Sequence, residues 1–276
     1  MTVSESVRYL SDELAGRGSG TPRLDAEVLA AHLLGTDRKG LIMDGNRDIT
    51  PDERHRLEEA LARRSAGEPV AYITGFKEFY SLPFRVDRRV LVPRPETELL
   101  VDLALYHARQ GARVLDVGTG SGAIAVAVKK NRPDCAVAAS DISEGALEVA
   151  RRNAEEILGA GRVEFFHGDL FSPFAGRKFD IILSNPPYID PSLRASLPRE
   201  LGFEPDTALF CGGSGREIVR RIISEGRPFL EKGGLMLIEI GADMKGDVLT
   251  FAGNGGYDAT VARDYAGLPR VALLKG

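Results

Sequence analysis

Cysteine is scarce in this chain of 276 residues, and long runs of apolar residues are missing. The two cysteines, Cys135 and Cys211, lie far apart, and neither has a His or Cys at the spacing of a metal ligand. We therefore expect no metal, and we expect both thiols to be small buried apolar groups in a reducing compartment. No apolar run approaches the roughly 18 residues that a membrane-spanning helix needs. The first residues show no basic stretch followed by an apolar one, so we expect no secretory signal and a cytoplasmic location.

An excess of positive charge is also absent. The chain has 36 Lys and Arg against 40 Asp and Glu, which gives a net charge of −4. Proteins that grip duplex DNA through its phosphates usually carry a basic excess, so the charge argues against nucleic acid as the main substrate and leaves only a local basic face open. The hydrophobic fraction of 43% and the charged fraction of 28% are ordinary for a soluble globular protein. The length suits a main domain of about 180 residues and a smaller one.

Residues 1–68 have the pattern of short helices. Residues 50–53 form a capping box, Thr-Pro-Asp-Glu, which predicts the start of a helix. The helix that begins near Pro22 is predicted to bury Leu24, Val28 and Ala31 or His32 on one face. This module is small and polar, so we interpret it as a domain that docks a partner.

Residues 69–92 change to aromatic and β-branched residues interrupted by turns. This pattern predicts a β-hairpin linker, with residues 70–73 and 84–86 as its strands. Residues 93–276 then alternate apolar strands with helices, which predicts an α/β domain with a mostly parallel sheet.

A glycine-rich loop follows the first strand of this domain. Residues 113–117 read as a strand, residues 118–122 as a turn and residues 123–131 as a helix. The Gly-x-Gly-x-Gly spacing is tighter than the Gly-x-Gly-x-x-Gly of a dinucleotide site, and it suits a compact ligand with an amino-acid end and a nucleoside end. The alternative is a set of tight-turn glycines without a ligand. The loop residues predicted to bind the ligand are Gly118, Thr119, Gly120, Ser121 and Gly122.

Two acidic residues and a leucine follow the next two strands. Asp141 ends the strand 137–141, where a carboxylate hydrogen-bonds ribose hydroxyls. Asp169 and Leu170 follow the strand 163–166 and are predicted to flank an adenine, the acid towards its amine and the leucine against its face. A turn acid and a core leucine are the alternative.

The stretch 179–188 joins an apolar strand to Asn185-Pro186-Pro187-Tyr188. The prolines stop the strand and stiffen the loop at the carboxyl edge of the sheet, where ligands bind. The side-chain carbonyl of Asn185 and the backbone carbonyl of Pro186 are two acceptors that suit an NH2 group, and Tyr188 can stack on the flat group that carries it. An adenine or cytosine amine or a side-chain carboxamide fits. An ordinary strand-to-turn exit is the alternative.

Two further segments are predicted to border this site. Arg94 and Glu96 are expected to line its edge, although Glu96 and Glu98 also fit the acidic first turn that a helix prefers. The polar segment 189–209 is long for a connection, which indicates a functional loop near the site.

The glycine loop and the Asn-Pro-Pro-Tyr corner together make the chain resemble a methyltransferase that uses S-adenosylmethionine. Residues 93–98, Pro-Arg-Pro-Glu-Thr-Glu, and residues 203–205, Phe-Glu-Pro, narrow the resemblance to the release-factor glutamine N5-methyltransferases, the PrmC/HemK family. The resemblance covers nearly the whole chain. It implies a Rossmann-like class I methyltransferase domain with a seven-stranded, mostly parallel sheet, a hairpin linker and an N-terminal helical domain that docks the release factor.

The resemblance also implies the reaction and the residue roles. The methyl group of S-adenosylmethionine would pass to the N5 amide of the glutamine in the Gly-Gly-Gln motif of bacterial-type release factors, modulating translation termination and leaving S-adenosylhomocysteine. The loop 118–122, Asp141, Leu170 and Asn185 would contact the donor, and residues 185–188 would hold the glutamine. Leu170 departs from the family, which often has an aromatic residue there, so aliphatic packing would replace stacking on the adenine. We expect a monomer.

We expect Asn185, Pro186 and Tyr188 to be the catalytic residues. Acceptors at Asn185 and Pro186 would fix the amide NH2 and favour the positive charge that develops on it, without a general base before transfer. A DNA or RNA adenine methyltransferase and a non-catalytic domain that binds S-adenosylmethionine are the alternatives.

Overall fold

The structure, a computed structural model, describes residues 1–212 and 214–276. The chain divides into two compact units. The first comprises Met1–Phe76 with Pro198–Phe203, and the second comprises Lys77–Leu197 with Glu204–Gly276. This division differs from the predicted boundaries at residues 68 and 92, which remain a prediction.

The first unit is built from helices. They are α1 (Val3–Gly16), α2 (Pro22–Leu33), α3 (Arg38–Met43), α4 (Pro51–Ser65) and α5 (Val70–Thr74), with a 3-10 helix at Arg199–Phe203. The predicted capping box of α4 is confirmed, because the Thr50 hydroxyl accepts from the Glu53 amide and the Glu53 carboxylate accepts from the Thr50 amide. The predicted face of α2 is partly wrong: Ala31 is buried as predicted, but Leu24 is 47% exposed, and Leu29 and Ala30 are buried instead.

A short hairpin follows α5, but it starts later than predicted. Its strands are β1 (Phe76–Phe79) and β2 (Leu82–Arg85). Residues 70–73, predicted as a strand, lie in α5, which begins after Pro69 and ends at Gly75 with φ of 77°. The fixed φ of proline suits a helix start, and the positive φ of Gly75 breaks the backbone before extended structure can begin.

The second unit contains the predicted seven-stranded sheet. Its order is β5-β4-β3-β6-β7-β9-β8, and β9 alone runs opposite to the other six strands. The strands are β3 (Arg113–Val117), β4 (Ala136–Asp141), β5 (Glu164–His167), β6 (Phe179–Ser184), β7 (Leu230–Glu239), β8 (Asp258–Arg263) and β9 (Pro269–Lys275). The α/β fold with a mostly parallel sheet is confirmed.

Helices connect these strands. They are α6 (Glu98–His107), α7 (Ala123–Asn131), α8 (Glu144–Leu158), α9 (Asp206–Leu209), α10 (Glu217–Gly226) and α11 (Lys245–Asn254), with 3-10 helices at Pro95–Thr97, Ser172–Phe174, Pro191–Ser196 and Arg227–Phe229. Apolar residues of the sheet pack in two buried clusters, one containing Val114 and Ile181 and the other containing Leu115 and Ile182. Neighbouring residues of a strand point to opposite faces, so both faces of the sheet are covered. None of the helices in the described part of the chain is long and apolar enough to cross a membrane.

The order in which the chain adds strands to the sheet reverses between β3 and β6. Strands β4 and β5 lie on one side of β3, whereas β6 and β7 lie on the other. In open α/β sheets, ligands bind outside the carboxyl ends of the strands at such a reversal. Val117 pairs with Ser140 on one side and Ser184 on the other, so the loops that begin at Gly118 and Asn185, and the strand end at Asp141, lie at one edge.

Candidate active site

A cavity of about 400 Å³ lies at this edge, entirely within the second unit. Its volume falls in the range of small-molecule sites. Most predicted site residues line it: Arg94, Gly118, Thr119, Gly120, Ser121, Asp141, Asp169, Leu170, Asn185, Pro186 and Pro187. Three do not, namely Glu96, Gly122 and Tyr188. The structure therefore brings together the predicted donor and substrate residues and leaves these three outside the walls.

The glycine loop presents bare backbone to the cavity. Gly118 and Gly120 have φ of 74° and 55°, and a Cβ at either position would have no atom within 4 Å. The left-handed backbone and the missing side chain leave room for a ligand to approach. Gly122 has another role, because a Cβ there would lie 3.1 Å from the Cβ of Ala150 in α8. Gly122 allows the start of α7 to pack against α8.

Asp141 holds the glycine loop from the side of β4. Its carboxylate accepts hydrogen bonds from the amides of Gly120 and Ser143, each at 2.9 Å. Burial raises the pKa of Asp141. Since each carboxylate oxygen has more than one lone pair, these bonds still leave acceptor capacity for a ligand hydroxyl.

Asp169 and Leu170 line the cavity but also have structural partners. The Asp169 carboxylate forms an ion pair with Arg221 at 2.8 Å. The Leu170 carbonyl accepts from the Ser140 hydroxyl at 3.2 Å, and the backbone of Leu170 has φ of 45°. A non-glycine residue at positive φ is uncommon and marks a position that its surroundings constrain.

Asn185 is oriented by a residue that the sequence analysis did not single out. Its side-chain Nδ2 donates to the hydroxyl oxygen of buried Thr97 at 3.1 Å. Its carbonyl oxygen Oδ1 then has no hydrogen-bond partner among residues 1–212 and 214–276. The Ser184 hydroxyl donates to the Val117 carbonyl at 2.7 Å and ties the end of β6 to β3. The corner therefore presents a fixed acceptor at the cavity wall.

Tyr188 lies behind the cavity wall. Its ring packs against the buried cluster that contains Leu115 and Ile182, and its hydroxyl donates to Glu239 at 3.3 Å. Burial and the negative charge of Glu239 raise the pKa of the Tyr188 hydroxyl. The predicted stacking of Tyr188 on a flat substrate group remains a prediction, since its ring is not part of the cavity wall.

Arg94 is held by an acid from the predicted functional loop. Glu204 accepts from the Arg94 guanidinium at 2.5 Å and from the Val92 amide at 3.2 Å. The Glu204 side chain is 1% exposed. This pair fixes both segments at the edge of the cavity, whereas Glu96 is exposed.

Some cavity residues carry little signal in the sequence. Apolar residues that also line the cavity are Phe79, Val90, Leu91, Phe210, Ile218 and Ile222. Glu239 does carry a signal, because a carboxylate in the apolar run 235–240 is unusual for a buried strand.

Comparison with known proteins identifies the family. The release factor glutamine methyltransferase of Rhodopirellula baltica is 41% identical over 284 residues, covering 99% of this chain and 96% of that protein. This chain belongs to the release factor glutamine methyltransferase family. The family member from Escherichia coli K12 is 40% identical over 260 residues, covering 93% of each chain.

Two family models match within the chain. Residues 5–75 match the PrmC N-terminal domain, and residues 95–200 match the methyltransferase small domain. A solved methyltransferase structure from Pyrococcus furiosus has 21% identity and a TM-score of 0.53, covering 82% of this chain and 98% of that chain, which supports the fold. The family and the class I methyltransferase fold expected from the sequence are confirmed.

Proposed function

We propose that this protein transfers a methyl group from S-adenosylmethionine to the side-chain amide nitrogen, N5, of the glutamine in the Gly-Gly-Gln motif of a peptide chain release factor. Membership of the release factor glutamine methyltransferase family supports the reaction. The observation that carries the proposal is the orientation of Asn185, whose Nδ2 bonds to Thr97 and whose Oδ1 remains an acceptor in a wall of the cavity.

The donor would lie against the glycine loop. Gly118 and Gly120 leave open space where a side chain would otherwise project, so the loop fits a bound nucleoside and amino-acid group. Asp141 would accept from the ribose hydroxyls, and Leu170 would pack on the adenine. Asp169 would approach the adenine amine while it stays paired with Arg221. When bound, S-adenosylmethionine supplies a methyl group on a positively charged sulfur.

The Asn185-Pro186 corner would hold the substrate amide. Asn185 Oδ1 and the Pro186 carbonyl, neither of which has a hydrogen-bond partner in the described part of the chain, would accept the two N–H groups of the glutamine. An amide nitrogen is a poor nucleophile because its lone pair is delocalised. Two acceptors would fix the NH2 and stabilise the positive charge that develops on it, as donors stabilise an oxyanion with the opposite sign. Pro187 would stiffen this corner, and Arg94 would border it.

The test is methylation of a purified release factor. The protein is incubated with S-adenosylmethionine and, in separate arms, a release factor, duplex DNA and RNA, and the products are analysed by mass spectrometry. We expect one added methyl group on the glutamine of the Gly-Gly-Gln peptide and none on the nucleic acids. Methylated adenine without methylated glutamine would show a nucleic-acid methyltransferase instead. Calorimetric binding of the donor without turnover in any arm would show a non-catalytic binding domain.

The oligomeric state and the cellular location of the protein are also part of the proposal. We propose that it acts as a monomer in the cytoplasm. Sedimentation equilibrium tests the oligomeric state, and cell fractionation tests the location.

A further inference from the structure

The turn that follows β5 carries an ion pair at the cavity. Asp169, which lines the cavity, accepts from Arg221 Nη2 at 2.8 Å and from Arg221 Nη1 at 3.4 Å, one bond to each carboxylate oxygen. Arg221 lies on α10 and also donates from Nε to Glu225 at 2.9 Å. An isolated exposed ion pair is weak, but a two-pronged contact between arginine and carboxylate within a network of charges has a defined geometry. The network therefore fixes the direction of the Asp169 carboxylate.

The backbone of the same turn is anchored by other residues. The Gly168 amide donates to the Asp141 carbonyl at 3.0 Å, and the Ser140 hydroxyl donates to the Leu170 carbonyl at 3.2 Å. Asp169 lies between these two bonds, so its main chain has anchors that do not depend on Arg221. A substitution of Arg221 therefore acts on the side chain of Asp169.

The position of Asp169 along the sheet points to the base of a bound nucleoside. The strands β3, β4 and β5 are consecutive neighbours, and their carboxyl ends lead to the glycine loop, Asp141 and Asp169 in that order. In the proposed function, the glycine loop and Asp141 take the amino-acid end and the ribose of the donor, which leaves the base at Asp169. The inference rests on the proposed function in this assignment.

We propose that Arg221 is a positioning residue that makes the donor site selective for a purine with an amino group. A guanidinium only donates hydrogen bonds, and an ionised carboxylate only accepts them. Arg221 uses one lone pair of each Asp169 oxygen, and the remaining lone pairs are acceptors for a ligand. The exocyclic amine of adenine donates to such an acceptor. The oxygen of hypoxanthine in the same place is itself an acceptor, so it opposes the carboxylate.

An amide at position 169 would reveal what Arg221 does. In Asp169→Asn, the carbonyl oxygen must face Arg221, because a guanidinium offers only donors. The NH2 group is then directed at the ligand, where it donates to the hypoxanthine oxygen and opposes the adenine amine. When Arg221→Gln is added, the amide at position 169 can take either direction, because the new amide at position 221 offers both a donor and an acceptor.

The test is calorimetric binding of S-adenosylhomocysteine and of its hypoxanthine analogue, S-inosylhomocysteine. We expect the wild type to prefer S-adenosylhomocysteine roughly 10- to 100-fold, the cost of two opposed acceptors. Asp169→Asn should reverse this preference, and the double variant Asp169→Asn, Arg221→Gln should bind both ligands with the same affinity. Arg221→Gln alone should lose roughly 3- to 10-fold of the preference, since the carboxylate can then turn into solvent.

Matched variants separate positioning from a general structural role. Arg220→Gln makes the same substitution one residue earlier on α10, at an exposed side chain outside the cavity wall, and should keep the wild-type preference. Arg221→Lys keeps the charge but loses the two-pronged contact, so it should resemble Arg221→Gln. Thermal unfolding establishes that each variant is folded. A general structural role of Arg221 would lower the affinity for both ligands by the same factor and leave their ratio unchanged.

Three results would overturn the inference. One is the wild-type preference in folded Arg221→Gln and Arg221→Lys. Another is an equal preference in Asp169→Asn with and without Arg221→Gln, which would show that a different neighbour directs the group at position 169. The third is a wild type that binds both ligands equally well. Failure of the wild type to methylate a release factor while it still prefers S-adenosylhomocysteine would refute the proposed reaction alone.

Discussion

The direction of one amide group determines what Asn185 can bind. Its nitrogen is engaged by Thr97 at 3.1 Å, so its oxygen is the atom available to a ligand. An acceptor suits a substrate NH2, whereas a donor in the same place would oppose it. The residue type alone leaves both directions open, and in the structure the nitrogen is the atom bonded to Thr97.

Asn185→Ala should nearly abolish turnover while sparing the donor. Removing one preorganised polar contact to a developing charge costs roughly 100- to 1000-fold in kcat. Donor affinity should be largely retained, because the glycine loop and Asp141 are unchanged. Single-turnover kinetics and calorimetry with S-adenosylhomocysteine measure the two effects. Asn131→Ala, at the exposed end of α7, is the matched control. Near-normal rates in Asn185→Ala would refute the assigned role.

Asp116 is a buried acid that is not part of the cavity wall. One of its oxygens, Oδ2, accepts from the Thr119 hydroxyl at 2.6 Å and the Ala125 amide at 3.2 Å. The other oxygen, Oδ1, is buried without a partner in residues 1–212 and 214–276. Burial raises the pKa of Asp116 to about 7, and the two hydrogen bonds act against this. The carboxylate ties β3 to the glycine loop and to the start of α7.

The pKa of Asp116 predicts a pH dependence of stability. An acid whose pKa is raised on folding binds protons more tightly in the native state, so its contribution to the free energy of unfolding falls as pH rises from about 4 to about 7. Asp116→Asn removes this contribution and keeps an acceptor for the two donors. We expect the variant to gain stability relative to the wild type as pH rises, by on the order of 2–4 kcal/mol at pH 8 compared with pH 4. Urea unfolding without donor at several pH values measures the difference, and a difference independent of pH would contradict it.

The glycine loop combines two functions in one short element. Gly118 and Gly120 face the cavity, while Gly122 lets α7 approach α8. Spacing in the sequence indicates that such a loop exists. It does not say which glycine faces a ligand, because that depends on where α8 packs.

Alanine substitutions should separate these functions. Gly120→Ala and Gly122→Ala both place a side chain at positive φ, which costs about 1–2 kcal/mol. Gly122→Ala also forces its Cβ to within 3.1 Å of Ala150, so it should lose more stability. Gly120→Ala has free space around its Cβ but fills part of the cavity, so it should lose more donor affinity. Denaturant unfolding and calorimetry with S-adenosylhomocysteine measure the two losses. If the ratio of lost stability to lost donor affinity were the same in both variants, the separate roles assigned to Gly120 and Gly122 would be contradicted.

Helices and strands were predicted well from the sequence where neighbouring residues all favoured the same secondary structure. Buried strands such as β3 and β6 and the capping box at Thr50 and Glu53 are features that neighbouring residues determine. Residues 70–73 have β-branched and aromatic side chains, but Pro69 and Gly75 enclose them in a single helical turn. Leu24 is apolar yet exposed, because the packing of α2 selects the face that contains Leu29.

For the whole molecule, the order of strands explains how much of the site could be predicted. The loops after β3 and β6 meet because these parallel strands are neighbours at the point where the strand order reverses. Residues 118–121 and Asn185 could therefore be grouped from the sequence. Partners from elsewhere in the chain could not be predicted in this way. Thr97 precedes β3, and Glu239 ends β7, and only the folded sheet brings them to the corner.

The first unit has its own buried ion pair, which gives a test of how stability and donor binding are divided between the units. Arg64 of α4 bonds to Asp25 at 2.8 Å and to Glu200 at 2.9 Å, and the Arg64 and Asp25 side chains are less than a tenth exposed. Removing one partner leaves a buried charge uncompensated.

Arg64→Ala should therefore destabilise the first unit and spare the donor site. We expect a loss of about 3 kcal/mol or more in its free energy of unfolding, the cost of breaking a buried pair. Affinity for S-adenosylhomocysteine should be unchanged, because every residue that lines the cavity belongs to the second unit. Arg56→Ala on the same helix is the matched control, since its pair with Asp52 is solvent-exposed and such pairs contribute about 0–1 kcal/mol. Scanning calorimetry with and without S-adenosylhomocysteine measures both quantities. A loss of donor affinity in folded Arg64→Ala would show that the donor site depends on the first unit.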